Sequence, residues 1–225
     1  NVSTKQMLQD IRVVMEAVDS FGVVNIFGGE PFLHEGIGDI VESVLCYDNF
    51  GAVIVNTNGA VRLREEHLEK MTDGRVRLAF SNYLHALDET KAQLFFENIE
   101  KAKRLGLNAQ YQNALPSWNI VSTLEHKGDS MEDMQEKKAT CNVRFLYVFD
   151  GKLFPCAFTM SIHDLGVADY PDDYVELDPD IPAVEMRQGI QDLISRSHYR
   201  ACGHCEGYAS PGIASEVAEQ GFDPR

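Results

Sequence analysis

Apolar segments of helical and of strand period alternate along the first half of this chain, and that alternation constrains its fold more than any other feature. Ser3 or Thr4 is placed to N-cap a helix whose apolar side is Met7, Leu8, Ile11, Val14, Met15 and Val18. Residues 23–27 form an apolar run bounded by glycine, the pattern of a strand buried on both faces. A helix carrying Ile37, Ile40, Val41, Val44 and Leu45 follows, and Cys46 at its end reads as a small buried hydrophobe. Next come a strand over residues 52–55, a helix over roughly 64–71 and a strand over 76–81. Leu94, Phe95, Ile99, Ala102 and Leu105 line one side of a helix that Gly106 stops, before a strand over 107–112. The order α-β-α-β-α-β-α-β argues for a parallel sheet, which right-handed crossovers coil into a barrel or an open doubly wound sheet. The series opens on a helix with no strand before it, so the expectation is a chain that starts just after a first strand and its loop.

The strand ends carry the candidate chemistry. Gly28-Gly29-Glu30-Pro31 closes the first strand, and two residues without a Cβ let backbone amides and carbonyls approach a ligand. Glu30 then stands at a strand's carboxyl end, where open α/β sheets and barrels place ligand-binding groups. A carboxylate there suits an ammonium group; the plain alternative is an ordinary turn with a solvated carboxylate. Asn56-Thr57-Asn58-Gly59 ends the next strand, and Ser81 and Asn82 end the one after. Short polar side chains at such positions suit hydrogen bonds to a ribose or a carboxylate, and turn chemistry alone also accounts for them. Gln110 and Gln112 alternate with period two, facing a barrel lumen, while Tyr83, His85 and Trp118 are candidates for its mouth.

Beyond residue 113 the pattern changes. Residues 115–118 read as a loop, 120–124 as a short strand or helix, and 125–138 as a polar linker. After Cys141, residues 143–149 read as a strand, Asp150-Gly151 as a two-residue hairpin turn, and 152–158 as the returning strand. An acidic excursion over 164–182 holds three prolines, and a helix over 183–197 delivers the chain to Cys202-Gly203-His204-Cys205. The tail after Glu206 has weak pattern.

Composition bears on partners and on the cysteines. A formal charge of -15 disfavours nucleic acid as a partner, and no run approaches the ~18 apolar residues of a membrane-spanning helix. No secretory signal opens the sequence. Five cysteines, an odd number, with Cys202 and Cys205 three apart, suit a reduced compartment and a metal site, hence the cytoplasm. A hairpin brings its outer ends together, so Cys141 and Cys156 are expected to be neighbours. Together with Cys202 and Cys205 they suit a zinc ion or an iron–sulfur cluster, with disulfides as the remaining alternative. His204 is a weaker ligand candidate because four thiolates already fill such a shell.

Gly28-Gly29-Glu30-Pro31 after a strand resembles the motif with which radical S-adenosylmethionine (SAM) enzymes bind the amino group of SAM. Thr57-Asn58-Gly59 resembles that family's third-strand motif, and Ser81, Asn82 and Gln110 fall where the family contacts SAM, with Asn82 replacing a common acidic residue. Cys141, the hairpin, Cys156, a helix and Cys202-x2-Cys205 resemble the family's Twitch-type auxiliary domain, a shortened relative of SPASM, in which all four cysteines ligate one auxiliary [4Fe–4S] cluster. The resemblance covers roughly residues 1–207. It implies a partial (β/α)6 TIM-like barrel over 1–138, a small α+β cluster domain over 139–207, and a tail over 208–225. The implied activity is reductive cleavage of SAM to a 5′-deoxyadenosyl radical that takes a hydrogen atom from a peptide or small metabolite, with a flavodoxin or ferredoxin as reductant. The Cys-x3-Cys-x2-Cys triplet that binds the SAM-cleaving [4Fe–4S] cluster does not occur in these 225 residues. The alternatives are a non-catalytic α/β binding module with a four-cysteine zinc site, or a degenerate relative that binds a peptide without cleaving SAM.

Overall fold

The computed structural model describes residues 2–112, 118–120, 122–207 and 212–215. It is an α/β protein with a four-stranded parallel sheet and a smaller three-stranded antiparallel sheet. The elements in chain order are α1 (Thr4–Ala17), β1 (Phe21–Ile26), α2 (Ile37–Leu45), β2 (Phe50–Thr57), α3 (Glu65–Glu69), β3 (Val76–Phe80), α4 (Glu89–Arg104) and β4 (Asn108–Tyr111). They continue with β5 (Trp118–Ile120), α5 (Met131–Thr140), β6 (Tyr147–Phe149), β7 (Lys152–Phe154), α6 (Ala157–Asp164), β8 (Val175–Glu176), α7 (Ala183–Ile194) and β9 (Ile213–Ser215). Short 3-10 turns occur at Pro31–Leu33, Leu84–Ala86, Pro171–Asp173 and Arg200–His204. No described helix is long and apolar enough to cross a membrane.

The chain divides into two compact units: Asp19–Trp118 is the main stretch of one, and Asn1–Val18 joins Asn119–Ala214 in the other. The expected division into 1–138 and 139–207 follows chain order; these units do not, because α1 packs against α7.

In the first unit the sheet order is β1-β2-β3-β4, all parallel, with α2, α3 and α4 as crossovers. Central strands β2 and β3 bury Val53, Val55, Leu78 and Phe80, and the Phe80 ring meets the Phe95 ring of α4 edge-on at 5.7 Å. β1 is not buried on both faces as its apolar run suggests. It is an edge strand, and Val23 is 41% exposed. An apolar run reports side-chain type and not position in the sheet, and among the described strands of this sheet only β2 and β3 have neighbours on both sides. Cys46 is also exposed rather than buried, donating its Sγ–H to the Glu42 carbonyl at the end of α2.

The second unit departs further from expectation. The segment read as a polar linker contains α5, started by a capping box in which the Ser130 hydroxyl accepts the Asp133 amide and the Asp133 carboxylate accepts the Ser130 amide. Its apolar stripe is too weak to announce it; the cap at residues 130–133 was the available signal. The hairpin forms with its turn at Asp150 (φ 46) and Gly151 (φ 76), the left-handed pair of a type I′ turn. Its returning strand ends at Phe154, and residues 157–164 turn into α6 instead of extending it. The acidic excursion supplies β8, which pairs with β7 as a third strand. The expected loop over residues 115–118 lies mostly outside the described residues, as does the tail.

Asp10 of α1 is buried beside this hairpin: its carboxylate accepts the Gly151 amide (3.0 Å) and the Gln6 side-chain amide (2.8 Å). Burial raises its pKa, and these two hydrogen bonds only partly offset that. A raised folded-state pKa makes its contribution complete below the unfolded-state value and lost as pH climbs through the folded-state value. Asp10→Asn is therefore expected to flatten the pH profile. Urea midpoints of variant and parent should coincide at acid pH and diverge in the variant's favour toward neutrality; parallel profiles would refute this.

Candidate functional site

Two groups of the residues singled out above are each brought together within one unit. The first lies at the carboxyl end of the parallel sheet. In-register pairing of β1, β2 and β3 carries residues 28–30, 57–58 and 81–82 to the same end, and the Ser81 amide bonds the Thr57 carbonyl at 2.8 Å. Glu30 is only 7% exposed and joins two strand ends. Its Oε1 accepts the Thr57 hydroxyl (2.8 Å) and the Phe32 amide (3.1 Å), while Oε2 accepts the Asn58 amide (2.8 Å). Burial raises the Glu30 pKa, while the Asn58, Phe32 and Thr57 donors hold it down in part. Pro31 is buried behind it, and Gly28 and Gly29 are exposed. Asn82 caps the turn after β3 by accepting the Leu84 amide (3.3 Å). Gln110 is exposed on the edge strand β4, where it donates to Asn108 (3.0 Å). Tyr83 is half-buried and His85 exposed.

Sequence reasoning missed the residue that shapes the loop after Thr57-Asn58. Asn98 of α4, 1% exposed, donates to the carbonyls of Gly59 (3.0 Å) and Val61 (2.7 Å) and accepts the Leu63 amide (3.2 Å). An asparagine on the apolar side of an amphipathic helix was the available signal, since a buried amide must find partners.

The second group is the cysteines. Cys141 is the C-cap of α5, Cys156 the N-cap of α6, and Cys202 and Cys205 lie in and just after the 3-10 turn Arg200–His204. Both α5 and α6 pack on that turn, so the ends of three elements converge on one place. All four cysteines are free and half-buried. Burial pushes the Cys202 thiol up to about 11, and neighbouring Cys156 and Cys205 add to it. Cys205 is raised for the same first reason, with Cys156 and Cys141 among its neighbours. The Thr159 amide donates to the Cys156 sulfur (3.4 Å) and the Gly207 amide to the Cys205 sulfur (3.3 Å), as N–H groups do around ligand thiolates. Among the described residues, no three His, Cys, Asp or Glu side chains close around a single ion.

His204 is not free to join them. Its Nδ1 bonds the Leu124 carbonyl (2.8 Å) and its Nε2 the Tyr170 hydroxyl (3.0 Å), so the ring anchors the Cys-x2-Cys turn. The Lys127 amide on the Gly203 carbonyl (2.7 Å), the Ser122 hydroxyl on the His204 carbonyl (2.8 Å) and the Lys137 ammonium on the Cys205 carbonyl (2.6 Å) hold it further. No family model matches the chain, and no curated protein matches it.

Proposed function

We propose that this chain is part of a radical SAM protein in which Cys141, Cys156, Cys202 and Cys205 hold an auxiliary [4Fe–4S] cluster. The observation that supports the reading is the packing of α5 and α6, whose ends carry Cys141 and Cys156, on the backbone-anchored turn of Cys202 and Cys205, with no disulfide among the four and N–H donors to the Cys156 and Cys205 sulfurs.

The four-stranded parallel sheet is read as part of a partial (β/α)6 barrel. Gly28 and Gly29 offer exposed backbone, and Glu30 Oε2 keeps acceptor capacity for an ammonium N–H beyond the Asn58 amide. Thr57, Asn58, Ser81 and Asn82 stand around the same end. The bound cofactors supply the one-electron chemistry, and the chain's residues bind and orient. The cluster that initiates such chemistry needs a cysteine triplet not found in this sequence. A peptide or small metabolite as substrate, a flavodoxin- or ferredoxin-type reductant and a cytoplasmic setting complete the proposal.

One observation favours a second reading, the zinc-bearing binding module. Glu30 spends three hydrogen bonds on its own chain and is nearly sealed, as a structural carboxylate would be. Metal and sulfide analysis of protein purified without oxygen separates the two. About four iron and four sulfide per chain with a broad band at roughly 400 nm is expected. One zinc without sulfide would replace the first reading with the second.

A further inference from the structure

The turn that carries Cys202 and Cys205 is gripped at both ends by a segment some thirty residues earlier, within the stretch that reads in sequence as an irregular acidic excursion. Asp173 closes the 3-10 turn Pro171–Asp173 and is 1% exposed. One carboxylate oxygen accepts the Arg200 amide (3.0 Å) and the other the Ala201 amide (2.8 Å), the donors immediately ahead of Cys202. Tyr170, the N-cap of the same turn, reaches the far end: its hydroxyl bonds Nε2 of His204 (3.0 Å), the residue before Cys205. The Arg200 guanidinium stacks over the Tyr170 ring at 4.8 Å, tying the two grips together. α5 also reaches both ends, through the Lys137 ammonium on the Cys205 carbonyl (2.6 Å) and the Lys138 ammonium over the Tyr199 ring (5.5 Å), but it makes no bond to the amides ahead of Cys202. Neither Asp173 nor Tyr170 is a ligand candidate itself.

We propose that residues 170–173 are a positioning clasp for the second cysteine pair, with Asp173 and Tyr170 holding Cys202 and Cys205 in the arrangement a bound group requires. This rests on the four-cysteine reading above. Outer-shell partners of this kind orient ligands, and their loss typically costs about 10–100-fold in affinity.

The test uses the full chain loaded anaerobically with ferrous iron and sulfide, comparing the parent with Asp173→Ala, Asp173→Asn and Tyr170→Phe. Asp172→Asn serves as a control, because Asp172 is exposed and only grazes Arg196 at 4.0 Å. Loss of iron to a chelator is followed at the visible band, and far-UV circular dichroism of each metal-free chain checks its fold. Asp173→Ala is expected to lose iron at least about tenfold faster than the parent. Asp173→Asn should recover part of that, because its one amide oxygen still accepts an N–H. Tyr170→Phe, which removes one hydroxyl and keeps the ring under Arg200, should lose iron faster than the parent, and Asp172→Asn at the parent's rate. If Asp173→Ala does not fold, Asp173→Asn and Tyr170→Phe carry the comparison. Parent-like iron retention in the Asp173 and Tyr170 variants would overturn the clasp alone. A parent chain that takes up neither iron nor sulfide would overturn the four-cysteine reading and the clasp with it.

Discussion

Asn98→Ala is expected to be among the most destabilising single substitutions in the sheet unit, lowering stability by about 3–5 kcal/mol. The side chain makes three hydrogen bonds to backbone groups of one loop, at 2.7, 3.0 and 3.2 Å, and is 1% exposed. Removing it orphans the carbonyls of Gly59 and Val61 and the amide of Leu63, each at about 1–3 kcal/mol, with partial relief from entering water. The Lys101 ammonium on the Leu63 carbonyl (2.8 Å) is a weaker tether, being more exposed, and does not replace it. Because the loop continues directly from Thr57-Asn58, loosening should spread to the Glu30 contacts. Urea unfolding measures the first effect and amide hydrogen exchange at Asn58 and Gly59 the second. A loss below about 1 kcal/mol would mean that the loop is held by something else.

Gly59→Ala should cost about 2–4 kcal/mol through a different mechanism. Gly59 has φ +67, a left-handed conformation that disfavours any Cβ by about 1–2 kcal/mol. A Cβ there would also stand 2.7 Å from Cδ2 of Phe95 and 2.9 Å from Cδ1 of Phe80, inside van der Waals contact with two fully buried rings. Neither ring has room to retreat, since each packs edge-on against the other. The Thr57 hydroxyl accepts the Gly59 amide at 3.0 Å, so a shifted loop would disturb the residue that donates to Glu30. Thermal unfolding of Gly59→Ala against the exposed control Gly74→Ala separates strain from a general loss of glycine flexibility. Gly74 has open space where a Cβ would go. Equal midpoints for the two variants would remove the packing argument.

Alternation of period was legible, and with it a parallel sheet and the existence of α1, α2, α4 and α7, since apolar spacing follows from which face must leave water. The Asp150-Gly151 turn was legible because few residue pairs accept two positive φ angles. Three features were not. α5 has too weak an apolar stripe to declare itself, α6 begins where a strand was expected to continue, and β8 is two residues long and exists through its pairing with β7. Burial of β1 was misread because strand composition does not reveal whether a neighbour lies on one side or two.

What the amino-acid sequence determined by itself was local: the alternating helices and strands of the parallel-sheet half, α7, and the glycine of the Asp150-Gly151 turn. Such properties depend on residues within a few positions of one another. Only the tertiary structure decided that α1 packs with α7, that Glu30 spends its oxygens on Phe32, Thr57 and Asn58, and that Asp173 and Tyr170 grip the cysteine turn. Each of these is the satisfaction of a buried polar group or apolar face by a partner remote in sequence. Burial demands that a partner exist, and chain topology alone selects which one.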